Sequence, residues 1–147
     1  MNNIPKAGEG VKTIIVKAQM DYLKNVMEMV EDFLEFPECS DKTRNLVCVS
    51  VEEIFANISS YAYAPGEGEI EISCSTHNVE DKKCIDVRFK DRGIPFDPTK
   101  QKKPDFQIPF EKRKIGGLGI HMVMEFMDDV SYQHKDGYNI LVLRKML

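Results

Sequence analysis

The chain has no tryptophan and no long apolar run. A membrane-spanning helix needs about 20 consecutive apolar residues, so a helical membrane protein is excluded. The opening MNNIPKAGEG lacks the apolar core of a secretory signal and reads, over residues 1–10, as a loose end. The four cysteines, Cys39, Cys48, Cys74 and Cys84, form no CxxC pair. That argues against a zinc site or a disulfide framework and for a reducing cytoplasm. An excess of one charge is also missing. With 20 basic and 24 acidic residues the net charge is −4, and the basic stripe of a nucleic-acid-binding domain is not there. Only KQKKPDFQIPFEKRK, residues 100–114, is locally basic.

What is present fits one soluble domain of 147 residues with enough apolar sequence for a core. VKTIIVK, 11–17, is β-branched and reads as a strand. Leu23, Val26, Met27, Val30 and Leu34 recur at helical spacing, which predicts a helix over 19–36, ended by Pro37. Ser40 or Asp41 caps a second helix reaching about Tyr63, with Val47, Val51, Ile54, Phe55 and Ile58 as its stripe. APGEG, 64–68, is a turn. Ile70, Ile72 and Cys74, then Ile85, Val87 and Phe89, alternate as two strands, with HNVEDKK as the loop between them. From Asp91 to Ile115 periodicity vanishes in a stretch rich in lysine and proline, and a loop of that length in a compact domain is usually functional. Ile120, Val123, Met124 and Met127 then mark a helix, and a hairpin around KDGY closes the chain. The expected fold is an α/β two-layer sandwich, with a mainly antiparallel, mixed sheet and helices on one face.

Three stretches carry candidate chemistry. In KIGGLGI, 114–120, bare amides stand at a helix start, where the helix dipole favours an anion such as phosphate. The spacing is neither a Walker A loop nor a dinucleotide fingerprint, and a tight glycine turn accounts for it equally well. In VEEIFANISSYAY, 51–63, Glu53 and Asn57 are four apart and share one helix flank. A carboxylate there can take a proton, and an amide oxygen can ligate Mg²⁺; a solvated helix face is the plain alternative. In DRGIPFDP, 91–98, Asp91 ends a strand and Gly93 allows close approach to the backbone. That carboxylate can accept a hydrogen bond from an exocyclic amine, or simply shape a polar turn.

Their order is more informative than any one of them. ExxxN on a helix, DxGxPF after a strand, a long loop and GGLGI opening a helix together resemble the boxes of the GHKL ATPase superfamily, with its Bergerat ATP-binding fold. Within it, EExxxNxxxYAY, DRGIPFDP and GGLGIHMVMEFMDDVSY make the chain similar to bacterial anti-sigma-factor serine kinases, over roughly residues 10–145. The resemblance implies ATP and Mg²⁺ as cofactors. It makes Asn57 the Mg²⁺ ligand and Glu53 the carboxylate that activates the nucleophile. Asp91 becomes the adenine-binding aspartate with Gly93 beside the ring, and Gly116, Gly117, Leu118 and Gly119 become the phosphate-binding turn. Residues 97–116 become the ATP lid. Two positions depart from the family pattern: Asn139 stands where a threonine near the adenine is common, and is expected to hydrogen-bond the nucleotide in its place, and Ile115 stands where an arginine precedes the glycines. Arg113 or Lys114 is then the lid cation near the phosphates.

The function so implied is phosphorylation of a serine on an anti-anti-sigma (STAS-type) partner by an anti-sigma regulatory factor, with a sigma factor as a further partner and a homodimer as the assembly. No nucleic acid and no membrane enter this reading. The alternative is a module that uses ATP only to sequester a partner. An intact Glu53 favours the kinase. A detached ATPase domain of a histidine kinase is a third reading, against which the short lid and the YAY and MDDVSY stretches argue. His121 is expected to be a packing or surface residue, and Glu52 a solvated one.

Overall fold

The computed structural model describes residues 6–100 and 117–147, of which 117 and 118 are described by their backbone alone. Five strands form one sheet: β1 (Val11–Lys17), β2 (Glu69–Val79), β3 (Lys82–Asp91), β4 (Asp129–Lys135) and β5 (Tyr138–Met146). Their order is β1-β2-β3-β5-β4, and each neighbouring pair is antiparallel. The expected mixed character is therefore absent among the described strands. β4 does run parallel to β3, but the β4–β5 hairpin inserts β5 between them. The helices are α1 (Leu23–Phe33), α2 (Asp41–Tyr61) and α3 (Gly117–Phe126).

The alternation read from the sequence places Ile70, Ile72 and Cys74 with Ile85, Val87 and Phe89 on one sheet face, all fully buried. Leu141 and Leu143 of β5 extend that face. Val26, Val30, Phe33 and Leu34 from the first helical segment, and Val47, Val51, Ile54 and Phe55 from α2, cover it. The Ser40 side chain caps α2 by accepting from the Thr43 amide at 3.1 Å, an arrangement worth about 1 kcal/mol. Ser50, buried in the α2 stripe, satisfies its hydroxyl on the Leu46 carbonyl at 2.8 Å.

Three local expectations change. The helix foreseen over 19–36 is a 3-10 turn, Met20–Tyr22, followed by α1 to Phe33. Pro37 disfavours helical backbone at the residue before it, and Phe36 instead buries its ring in the core. The HNVEDKK loop shrinks to two residues. Glu80 and Asp81 take positive φ (52° and 65°), and the strands pair up to Val79↔Lys82. This is the turn geometry whose twist suits a hairpin. The described part of the expected loose end is tied down: the Thr76 hydroxyl donates to the Gly8 carbonyl at 2.9 Å, and Gly8 (φ 78°) lies flat on the Phe36 ring, where no side chain fits. Among the described residues no helix is long and apolar enough to cross a membrane, and all four cysteines are free thiols.

Candidate active site

The sheet's core face ends in two polar residues, not apolar ones. Asp91 closes β3 and Asn139 opens β5, and the two are cross-strand partners in the register. They are 5% and 6% exposed, so each must find partners or carry a desolvation penalty. The Asn139 Nδ2 donates to Asp91 Oδ1 at 3.0 Å and to the carbonyls of Gly93 and Ile94 at 3.2 and 3.0 Å. The Gly93 amide donates to the same Asp91 Oδ1 at 2.8 Å. Tyr132, on β4, donates its hydroxyl to Asn139 Oδ1 at 2.5 Å.

The DRGI turn is also seated on the end of α2. Ile94 N–H donates to the Ala62 carbonyl at 2.8 Å. A Cβ on Gly93 would overlap that same carbonyl and the Ala62 side chain. Gly93 is therefore required by close backbone approach. Tyr63 completes the junction: its hydroxyl donates to the Glu69 carbonyl at 2.6 Å and accepts from the Arg92 amide at 2.7 Å. Burial pushes the Tyr63 phenol up, opposed by the Arg92 amide bond. Burial likewise raises Tyr132, against a hydrogen bond from the Phe96 backbone amide, with the charges of Asp97 and Asp91 adding to the rise.

The second part of the site lies along α2. Glu53 and Asn57 are both half-buried, one turn apart on the flank beside the core stripe. Among the described residues the Asn57 amide has no hydrogen-bond partner, which leaves its oxygen available to a hard cation. α3 packs against α2 and brings the backbone of Gly119 onto Glu53. A Cβ at Gly119 would strike the Glu53 carboxylate. The glycine-led start of α3 and the helix-borne carboxylate, read separately in the sequence, are thus adjacent.

Asp91, Gly93 and Asn139 form one cluster, and Glu53 and Gly119 are in contact. Gly117 and Leu118 open α3. Gly116, Arg113 and Lys114 lie outside the described residues, as does the stretch beyond Lys100 of the expected lid, 97–116. Its first residues make a 3-10 turn, Pro98–Lys100, in which Asp97 accepts from the Thr99 amide at 2.8 Å. His121 pairs loosely with Glu125 one turn on, at 3.8 Å, and Glu52 is exposed.

The sequence reading assigned no role to Tyr63 or Tyr132. Tyr132 was legible in principle. The two-residue Asp136–Gly137 turn, with φ of 54° and 82°, fixes the hairpin register. That register sets Tyr132 opposite Leu141, diagonal to Asn139 and within reach of a long side chain. Tyr63 was not legible, because its partners come from β2 and from the DRG turn.

A groove of about 520 Å³ occupies the other side of the same strand ends. Glu71 and Lys90 among its lining residues belong to the outer sheet face. It shares Asp91 and Tyr63 with the cluster but faces away from α2 and α3.

The sequence model of the histidine kinase-like ATPase domain matches residues 16–145. The chain belongs to the histidine kinase-like ATPase domain family. Similar curated proteins include the serine/threonine-protein kinase BtrW of Bordetella bronchiseptica, 29% identical over 71% of this chain and 71% of that protein. The serine-protein kinase RsbW of Listeria innocua is 31% identical over 65% of this chain and 62% of its own length. RsbW of Bacillus cereus is 28% identical over 65% of this chain and 60% of its own. The chain thus spans less than two thirds of both RsbW proteins. A histidine kinase domain from Erythrobacter litoralis aligns with a TM-score of 0.48 at 10% identity, covering 85% of this chain and 59% of that one.

Proposed function

We propose that this histidine kinase-like ATPase domain is a Mg²⁺- and ATP-dependent protein serine kinase. Its substrate is a serine on an anti-anti-sigma (STAS-type) partner, which places the chain among anti-sigma regulatory factors. The kinase names of BtrW and RsbW support the reaction class. The observation that carries the reading is the contact between Glu53 and Gly119. It sets a carboxylate beside the glycine-led start of α3, whose amides favour an anion such as phosphate.

In this reading each end of the site has its own task. Asp91, buried and held by two donors, accepts the exocyclic amine of adenine. Asn57 offers its amide oxygen to Mg²⁺, and the oxygen-rich pair of Asn57 and Glu53 fits a cation of that kind. When bound, Mg²⁺ offsets charge on the phosphate oxygens. The first amides of α3 favour the same negative charge. Glu53 accepts the proton of the incoming serine hydroxyl. As it does so, the serine oxygen bonds to the γ-phosphorus and the bond from that phosphorus to the ADP oxygen breaks. General-base catalysis of this sort is worth about 10²–10⁴ in rate.

The test uses source-cell extract, labelled ATP and the wild-type or Glu53→Gln protein. A small protein acquiring phosphoserine with the wild type alone is the expected result. Equal labelling with both proteins removes Glu53 from the mechanism. A partner retained in stoichiometric amount without any phosphoserine replaces the kinase by a sequestering module.

A further inference from the structure

Asn139 occupies the place where a direct contact to the base is expected, yet its polar atoms are already engaged. Its two amide hydrogens face three acceptors, Asp91 Oδ1 and the carbonyls of Gly93 and Ile94. Its oxygen receives the Tyr132 hydroxyl at 2.5 Å. It is 6% exposed. A side chain so engaged has no hydrogen left for a ligand.

We propose that Tyr132 and Asn139 form a clamp that aims Asp91 at the exocyclic amine of the nucleotide, with Asn139 a positioning residue and not a ligand contact. The inference rests on the nucleotide-binding reading above. It changes what sets the strength of base recognition.

Tyr132 donates to Asn139, and Asn139 donates to Asp91. Each member is polarised in the same sense, which strengthens the whole. Because Tyr132 can give its proton only to an acceptor, it holds the Asn139 amide with its oxygen toward β4. The reversed amide would face its oxygen to a carboxylate and two carbonyls, all of them acceptors. At the far end, Asp91 Oδ1 takes two donors, the Gly93 amide and Asn139. Among the described residues Oδ2 takes none, so one acceptor remains and its direction is fixed by the other. The same amide also ties Gly93 and Ile94, the backbone beside the ring, to the sheet. MDDVSY, 127–132, thereby acquires a role through its tyrosine, which β4 carries six residues after the end of α3.

The experiment compares ADP with purine riboside diphosphate, which lacks only the exocyclic amine, by calorimetry on the full chain. Wild type is expected to prefer ADP by about tenfold or more, the range of a hydrogen bond to a charged group. Tyr132→Phe should reduce that preference to about threefold or less while leaving the affinity for the amine-free nucleotide nearly unchanged, because only the aim of Asp91 is lost. Asn139→Ser should reduce the preference likewise, with some loss of affinity for both nucleotides because it also frees Gly93 and Ile94, and its folding is checked by thermal melting. A purely structural role predicts something different: both nucleotides weaken together with the preference unchanged, or only the melting temperature moves. Either result overturns the clamp. A wild type that binds both nucleotides equally also overturns it but leaves ATP binding standing. A wild type that binds neither removes the nucleotide reading itself, and the clamp with it.

Discussion

The two ends of the site differ in how they are held. At the end of β3 and β5, Asp91 and Asn139 are almost fully buried and joined by hydrogen bonds from four chain segments. On α2, Glu53 and Asn57 are half-buried, and Glu53 lies against the backbone of Gly119. A preorganised acceptor recognises a rigid base without reordering at the moment of binding. A carboxylate that must meet an incoming hydroxyl gains from room to move. In the proposed function, the contrast separates recognition, at the sheet, from transfer, at the helix.

Glu53→Gln is the sharpest way to break that separation. Serine phosphorylation should fall by about 10²–10⁴ with nucleotide affinity retained, as read by single-turnover labelling alongside calorimetry. Asp91→Asn reverses the emphasis. It turns a charged acceptor into an amide, and ADP affinity should weaken about tenfold or more.

The two glycines sharpen the comparison further. An added methyl at Gly119 meets the end of the flexible Glu53 side chain, which can swing away. Gly119→Ala should therefore cost activity with little change in melting temperature. At Gly93 the methyl meets the Ala62 carbonyl, which is backbone. Gly93→Ala should lower stability by about 1–3 kcal/mol, the range for overpacking, and thermal melting measures it. If the two variants behave alike, the ends of the site are not held differently.

The smallest effect concerns pH. Burial pushes the Cys74 thiol up to about 12 and the Cys48 thiol up to about 11, from an ordinary 9.0. The folded state therefore keeps protons that the unfolded state releases above pH 9. Stability is fully present below that pH and declines as pH rises toward the folded values. Denaturant melts at pH 8 and pH 10.5 should show the decline, and Cys74→Val should flatten part of it.

Much of this arrangement was readable in the residues. Period-two alternation gave the core faces of β2 and β3. The Ser40 cap and the α2 stripe gave the helix that carries Glu53 and Asn57. The Asp136–Gly137 turn gave the last hairpin. The first hairpin was misjudged because Glu80 and Asp81 lack the glycine or asparagine that usually marks a two-residue turn; the long cross-strand ladder holds them at positive φ instead. The polar ending of the sheet's core face was hidden for another reason. Asp91 and Asn139 are 48 residues apart, and only the assembled register makes them neighbours. Likewise the contact of Gly119 with Glu53 depends on how α3 lies against α2, which no local spacing specifies.

The central claim is that recognition and transfer are assigned to different ends. Calorimetric ATP affinity of the Glu53→Gln and Asp91→Asn proteins, measured side by side in Mg²⁺, tests it most directly. The account predicts that Glu53→Gln stays within about threefold of wild type while Asp91→Asn weakens by about tenfold or more. Equal losses in the two variants would contradict it.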